Sequence, residues 1–267
     1  MQIKEKIVVT DKAALKEVIN KEIYNYTGYH CDLNHIDTSL ITDMSDLFHF
    51  SHFKGDISRW NTSNVKNMQN MFESSQFNGD ISGWNVSNVE NMQAMFSGSL
   101  FNGDISSWNV QNVVNMNNMF SQSLFNADIS KWCTSNVQDM GYMFFDSVFN
   151  GDISQWDTSK VKSMFYMFCN SSFDGEVKNW DVSSVQNIIC MFRESSFSKD
   201  TSMWNILKAE YILHTFYDCK APLPYWAKIE SHEERKKAII EFHCNVEKER
   251  LDTLLENQLN KASIVKV

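Results

Sequence analysis

The 267-residue sequence contains only two prolines and nine glycines, and it has no long apolar run. No stretch approaches the roughly 18 consecutive apolar residues of a membrane-spanning helix. The opening segment, MQIKEKIVVTDKAALKEV, lacks the apolar region of a secretory signal peptide, and it carries no lipid-anchor motif. These absences predict a protein that folds in the cytoplasm, or at the cell surface if an export signal has been removed.

Motifs of common catalytic sites are also missing. The sequence has no G-x-S-x-G, no phosphate-binding loop, no H-E-x-x-H and no paired zinc-type cysteine motif. Its six cysteines form no C-x-x-C, which favours reduced thiols. We therefore expect no enzymatic activity, no catalytic residue and no cofactor.

Positive charge is scarce in the middle of the chain. Residues 29–221 hold 21 Asp and Glu against 11 Lys and Arg, whereas the flanking segments are almost neutral. An acidic body without a basic stripe cannot neutralise phosphates, so we do not expect direct binding to nucleic acid.

What the sequence does contain is a 24-residue repeat, illustrated by FNGDISSWNVQNVVNMNNMF at 101–120. Eight units fill residues 29–221, and aromatic residues return at fixed positions in them. The Trp position holds Trp60, Trp84, Trp108, Trp132, Trp156, Trp180 and Trp204. One Phe position is unbroken and holds Phe48, Phe72, Phe96, Phe120, Phe144, Phe168, Phe192 and Phe216. Such self-similarity predicts a solenoid, in which each coil packs on its neighbours.

Two spacings alternate within a unit. ISRWNTSNV at 57–65 has the spacing of a short strand, and SNVKNMQNMFESS at 63–75 has helical spacing. Ser87 and Ser135 begin capping boxes that end at Glu90 and Gln138. We therefore predict an α/β fold: a leucine-rich-repeat-like solenoid of about eight coils, each with a short parallel strand and a short helix.

The two ends are predicted to cap this array, because terminal repeats must cover their core face. KIVVT and DKAALKEVINKEIYNY predict a strand and a helix in residues 1–28. The repeat pattern ends at Pro222 and Pro224, and a helix is predicted from Ser231 to about Leu259. The predicted division is an N-terminal cap at 1–28, the array at 29–221 and a C-terminal helical cap at 222–267.

The units FNGDISxWNxSNVxNMxxMF, with a first unit CDLNHIDTSLITDMSDLF at 31–48, resemble a known family. They are similar to the BspA-like leucine-rich-repeat proteins, in particular to the short Met- and Trp-rich repeats of mycoplasma and listerial surface proteins. The resemblance covers residues 29–221. It implies a bacterial protein with a solenoid fold, and a role in adhesion or protein binding rather than in chemistry.

Two groups of potential metal ligands have structural explanations. One Asp recurs per unit from Asp56 to Asp152, where turn capping accounts for it. A cluster in the first coil consists of His30, Cys31, Asp32, His35, His49 and His52. A metal site there is conceivable, but a polar cap region accounts for the cluster, and we expect no bound metal.

Candidate binding residues are those that the repeat does not dictate. Positions that hold Gln69, Asn70 and Glu73 in the second unit become apolar in later units. The predicted convex, helical face therefore carries an apolar patch. The patch consists of Tyr142, Phe145, Phe165, Tyr166 and Ile189. The C-terminal helix, a second subunit or a partner protein would cover it.

The opposite, strand-bearing face provides a second candidate, because solenoids often bind on that side. Its variable positions hold Arg59, Lys131, Gln155, Asp157 and Asp181. A merely solvated face is the alternative.

The sequence thus favours a non-enzymatic protein-binding solenoid that recognises another protein inside the bacterial cell, as an inhibitor or an immunity protein does. A cell-surface adhesin of the BspA-like type and an acidic mimic of nucleic acid are the alternatives. The expected partner is another protein, or a second copy bound through the apolar patch. Neither nucleic acid nor a membrane is expected as a partner.

Overall fold

The computed structural model describes residues 5–25 and 29–264. In these ranges, regular secondary structure lies only at the two ends. Strand β1 (Ile7–Val8), helix α1 (Lys12–Asn25) and strand β2 (Ile36–Asp37) form the N-terminal end, and β1 pairs with β2 in parallel. A short 3-10 helix (Tyr225–Lys228) and helix α2 (His232–Ile264) form the C-terminal end. The last residue of the predicted first helix, at position 26, lies outside the described ranges.

Turns take the place of the strand and the helix that the sequence predicts in each unit. In the segment predicted to be helical, Asn70 and Ser74 have φ angles of 54° and 52°. Left-handed residues four positions apart interrupt a right-handed helix. The first left-handed position comprises Asp46, Asn70, Ala94, Asn118, Tyr142, Tyr166, Cys190 and His214. The second comprises Phe50, Ser74, Gly98, Gln122, Asp146, Asn170, Glu194 and Asp218. The 24-residue repeat is confirmed, but the strand-plus-helix unit is wrong.

The backbone of each unit is hydrogen-bonded to that of the next. The N–H groups of Met68 and Phe72 donate to the carbonyls of Asn91 and Met95, each at 2.9 Å. Parallel bridges join Asp43–Asn67, Asn67–Asn91, Asn91–Asn115, Asn115–Asp139, Asp139–Ser163, Ser163–Asn187 and Asn187–Tyr211. The segment predicted to be helical therefore carries the backbone ladder that stacks the units in register.

Each unit from the second onward contributes a buried Trp whose ring nitrogen donates a hydrogen bond to the preceding unit. Trp108 donates its Nε1–H to the carbonyl oxygen of Ile81 at 3.2 Å. The other Trp acceptors are Leu33, Ile57, Ile105, Ile129, Ile153 and Val177. A buried indole needs a partner for its N–H, and the repeat supplies one to each of these seven Trp residues. The Trp position therefore both fills the core and joins successive units.

Two Phe positions form continuous ring stacks through the core. Phe120 and Phe125, five residues apart in the chain, are nearly parallel, with centroids 4.1 Å apart. Between units, Phe120 lies 5.8 Å from Phe144, and Phe125 lies 6.3 Å from Phe149. All four rings are fully buried. These two Phe positions therefore run through the buried core from unit to unit.

Both ends of the stack are covered. Helix α1 buries Leu15 and Ile19 in the core cluster. At the other end, α2 buries Arg235 and Ile239, and the Arg235 guanidinium donates to the carbonyl of Ala209 at 2.9 Å. From position 247 to 257, every side chain of α2 is exposed. No helix within the described ranges has both the length and the apolarity needed to cross a membrane.

Candidate protein-binding surface

The five residues of the predicted apolar patch lie together on three consecutive units; we call them the aromatic patch. The ring of Tyr142 packs edge-on against Phe165 at 5.0 Å and stacks on Tyr166 at 5.1 Å. Tyr166 also contacts Phe145, with centroids 6.3 Å apart. Ile189 adjoins these rings, since its carbonyl accepts the N–H of Tyr166 at 2.9 Å. All five side chains are only half-buried, so the cluster is open to solvent.

The backbone at the aromatic patch would accommodate other residues more easily. Tyr142 and Tyr166 have φ angles of 56° and 55°, in the left-handed region that favours Asn and Asp. Such a conformation costs most other residues roughly 1–2 kcal/mol. In three of the four preceding units this position holds Asp46, Asn70 or Asn118. The stack therefore does not require Tyr here, and two aromatic rings are present against the local preference.

The titratable groups of the patch are neutral at neutral pH. The pKa of Tyr166 is raised mainly by a hydrogen bond with Cys190 and secondly by burial. Burial also raises the pKa of Tyr142. Burial also raises the pKa of the neighbouring Cys169 thiol to about 11. At neutral pH the patch thus presents neutral phenols on an apolar base, a combination that is common at protein interfaces.

Apolar exposure continues from the patch toward the C-terminal end of the array. Leu213 and Tyr217 occupy equivalent positions in the next unit and are 63% and 54% exposed. Arg193 lies over the Tyr217 ring at 5.3 Å and pairs with Glu194 at 2.9 Å. Tyr211 is equally exposed, and the sequence analysis missed it. Its signal was present, because the equivalent positions of the earlier units hold Asn, Asp or Ser.

Helix α2 caps the last unit and not the aromatic patch. It reaches the array through Arg235 and Ala209, and Phe242 stacks on Tyr225 of the 3-10 helix at 4.5 Å. Over the part of the chain that the structure describes, no hydrogen bond or ring contact joins α2 to the patch. The protein's own C-terminal helix therefore leaves these rings open to another molecule.

The second predicted group is exposed on the array: Arg59, Lys131, Gln155, Asp157 and Asp181. Arg59 lies in the second unit, and the other four lie in the fifth to seventh units. The prediction of a sheet face is wrong, since the only sheet within the described ranges is the β1–β2 pair. Asp157 and Asp181 each accept the N–H of the residue two positions later, at 3.0 and 2.9 Å. These carboxylates therefore cap turns.

The potential metal ligands are also occupied by structural contacts. Asp128 accepts the N–H of Ser130 at 2.9 Å, and this hydrogen bond lowers the pKa of the carboxyl group. In the first coil, Nε2 of His35 lies 3.4 Å from Oε2 of Glu22, and Nε2 of His49 lies 3.2 Å from Oε2 of Glu73. Among the described residues, no three His, Cys, Asp or Glu side chains are arranged to hold a metal ion.

Comparison with known proteins places the repeat in a family. The family model described as "Mycoplasma protein of unknown function, DUF285" matches three overlapping regions, 17–124, 98–171 and 121–226. No curated protein matches the chain. No solved structure matches it either. Because the three matched regions together run from residue 17 to residue 226, most of its length, the chain belongs to the DUF285 family of mycoplasma repeat proteins.

Proposed function

We propose that this protein is a non-enzymatic binding protein, and that its aromatic patch holds the apolar surface of another protein. We also infer that the stacked units form a solenoid related to the BspA-like leucine-rich repeats. The observation that carries the proposal is the conformation of Tyr142 and Tyr166. Both are left-handed, half-exposed and packed ring against ring, although the stack has no need of an aromatic residue at that position.

The geometry suits recognition by contact. Clustered Tyr and Phe side chains provide large apolar area at a low cost in conformational entropy, and such residues dominate the energy of many interfaces. Covering the rings contributes roughly 25 cal/mol for each Å² of apolar area removed from water. The phenolic hydroxyls of Tyr142 and Tyr166 remain neutral and add directional hydrogen bonds. A protein of this kind acts by occupying a surface of its target, as an inhibitor or an immunity protein does.

The test uses a variant that restores the residues of earlier units. Tyr142→Asn, Phe145→Ser and Phe165→Asn introduce the residues found at the same positions in the fourth unit, at Asn118, Ser121 and Asn117. Because the repeat already accommodates these side chains, the variant should melt at or above the temperature of the parent protein. The matched control, Asn70→Ala, changes the Tyr142 position in a unit without the patch.

The parent and both variants should be compared with a partner purified from the native cell extract and then rebound in isolation. We expect the triple variant to lose at least about tenfold in affinity and the control to lose less than twofold. The alternative partner is a second copy of the chain. It is identified if the full-length protein sediments as a dimer and the triple variant sediments as a monomer. Unchanged binding in a folded triple variant would exclude the patch as the binding surface.

A further inference from the structure

A second surface of the array, distinct from the aromatic patch, has a different chemistry. Two adjoining grooves of about 500 and 310 Å³ run across the units and share Gln138 and Lys160. Together we call them the amide groove. Its walls are polar, with Asn, Gln, Ser and Lys side chains, and Val114 is its one apolar residue.

Positive charge is concentrated in this groove. Four of the 11 basic residues between 29 and 221 line it, but only one of the 21 acidic residues does. The basic residues are Lys66, Lys160, Lys162 and Lys208, and the acidic one is Glu90. Glu90 lies 3.6 Å from Lys66 and offsets that charge. The other three lysines leave a cationic stretch on a protein whose net charge is −9.

Two lysines of this stretch are held by neutral groups. Lys160 donates to Oδ1 of Asn136 at 2.6 Å, and Lys162 donates to Oε1 of Gln138 at 2.8 Å. Over the described residues, neither ammonium group lies within 4.0 Å of a carboxylate. Hydrogen bonds with Ser159 lower the pKa of Asp157, and the charge of Lys160 lowers it further. Neither lysine is therefore paired with a carboxylate in the described part of the chain.

A row of carboxamides continues the groove. Asn88, Asn112 and Asn136 each direct Nδ2 into the fold, toward a backbone carbonyl 2.7 Å away in the preceding unit. Their Oδ1 atoms are the remaining acceptors, and that of Asn136 already receives the Lys160 ammonium group from the groove. The surface thus offers one hydrogen-bond acceptor per unit along a line that ends in lysines.

We propose that the amide groove binds a linear anionic glycan. Hydroxyl groups of the chain donate to the Asn carboxamide oxygens, and its carboxylate or sulfate groups accept from Lys160 and Lys162. Stacked backbone segments lie about 4.8 Å apart. The Asn acceptors, one per unit, therefore have a spacing similar to that of successive sugars in an extended chain. This inference concerns a different surface from the protein-binding patch, and each stands without the other.

Two other polyanions fit less well. Single-stranded nucleic acid binds through aromatic side chains on which bases stack, and none lines the groove. An acidic peptide that added as a strand would need a free backbone edge, but the main chain here is already paired between units. The N–H groups of Val114 and Gln138 donate to the carbonyls of Glu90 and Val114 at 2.9 and 2.8 Å.

Calorimetric titration of the full-length protein with heparin and hyaluronan decasaccharides tests the proposal and separates sulfate from carboxylate recognition. We expect Lys160→Gln with Lys162→Gln to weaken binding about tenfold, because two charge-assisted contacts are lost. The matched control pairs Lys131→Gln with Lys199→Gln, which removes the same charge outside the groove and should change affinity less than twofold. Thermal melting of each variant verifies that the fold is retained.

Three results would overturn the assignment. The first is an equal loss in the control pair, which would mean general attraction to positive charge. The second is equally tight binding of poly-glutamate or of single-stranded DNA of matched length, which would remove the preference for a glycan. The third is no binding of either decasaccharide at low salt, where the attraction is strongest.

Discussion

Replacing Trp108 with alanine tests the central feature of the stack, the buried ring that fills each coil. Trp108 is 4% exposed, and its ring lies 6.3 Å from that of Phe96. A buried Trp removes about 150–250 Å² from water, which corresponds to roughly 4–6 kcal/mol at 25 cal/mol per Å² as an upper estimate. Truncations of buried aromatic residues to alanine typically cost about 3–5 kcal/mol. We expect a loss in that range.

A second substitution separates the ring from its hydrogen bond. Trp108→Phe keeps most of the apolar volume but removes the Nε1–H that donates to Ile81. That carbonyl also accepts the main-chain N–H of Trp84 at 3.1 Å, so it stays bonded. The hydrogen bond should therefore account for only about 0.5–1.5 kcal/mol. The exposed substitution Gln111→Ala, in the same coil, should stay within about 0.5 kcal/mol of the parent.

Urea unfolding followed by circular dichroism measures these differences, provided that the slope with urea is the same for all variants. A loss below about 1 kcal/mol for Trp108→Ala would place the ring outside the core and refute the stacked arrangement. If Trp108→Phe costs as much as Trp108→Ala, the hydrogen bond and not burial holds the coils together. If the alanine variant does not fold, the Phe variant still distinguishes the two.

Three further predictions concern the ends and the thiols. Hydrogen bonds from Lys6 and, second, from Ser39 lower the pKa of Asp37 from 3.8 to about 2. The ionised Asp37 therefore stabilises the fold fully above pH 3.8, and this stabilisation is lost as the pH falls toward 2. In Asp37→Asn, this part of the pH dependence of the melting temperature should disappear. A thiol reagent should label the exposed Cys133 and Cys244 at once and the three buried cysteines only after unfolding, and rapid labelling of four would contradict the fold. Arg235→Met should lower the free energy of unfolding by about 2–3 kcal/mol, because it removes the hydrogen bonds of the buried guanidinium group. The control is Arg250→Met in the exposed part of α2, and an equal loss there would refute the capping role of Arg235.

The repeat was predictable from the sequence because a stack fills the same core positions once per coil. Trp108 and Phe120 recur at their positions, and both are buried in the structure. The local conformation was not predictable in the same way. Apolar residues at Val65, Met68 and Phe72 have helical spacing, but a turn with left-handed residues buries the same set. The Asn and Gly residues at those left-handed positions, Asn70 and Gly98, were the missed signal.

The aromatic patch could also be predicted from the sequence, because the repeat defines which positions are equivalent. Comparison of equivalent positions identified Tyr142 and Phe165 as departures from the repeat, and the structure brings their rings into contact. The amide groove was not identified, because Lys66 lies 94 residues before Lys160 and Lys208 lies 46 residues after Lys162 in the sequence. Their neighbourhood arises only when successive units stack.

Stability and recognition use different positions of one coil, and this separation explains how such an array can acquire binding surfaces. The core depends on rings that point inward and on main-chain bonds between units, such as that from Met68 to Asn91. Neither contact involves the outward side chains at the left-handed turns or along the amide groove. Substitution at Tyr142 changes only local backbone strain, and substitution at the exposed Lys160 should change the free energy of unfolding by less than about 0.5 kcal/mol. Several neighbouring coils can therefore change together, and aligned changes one unit apart create a continuous surface from residues far apart in sequence.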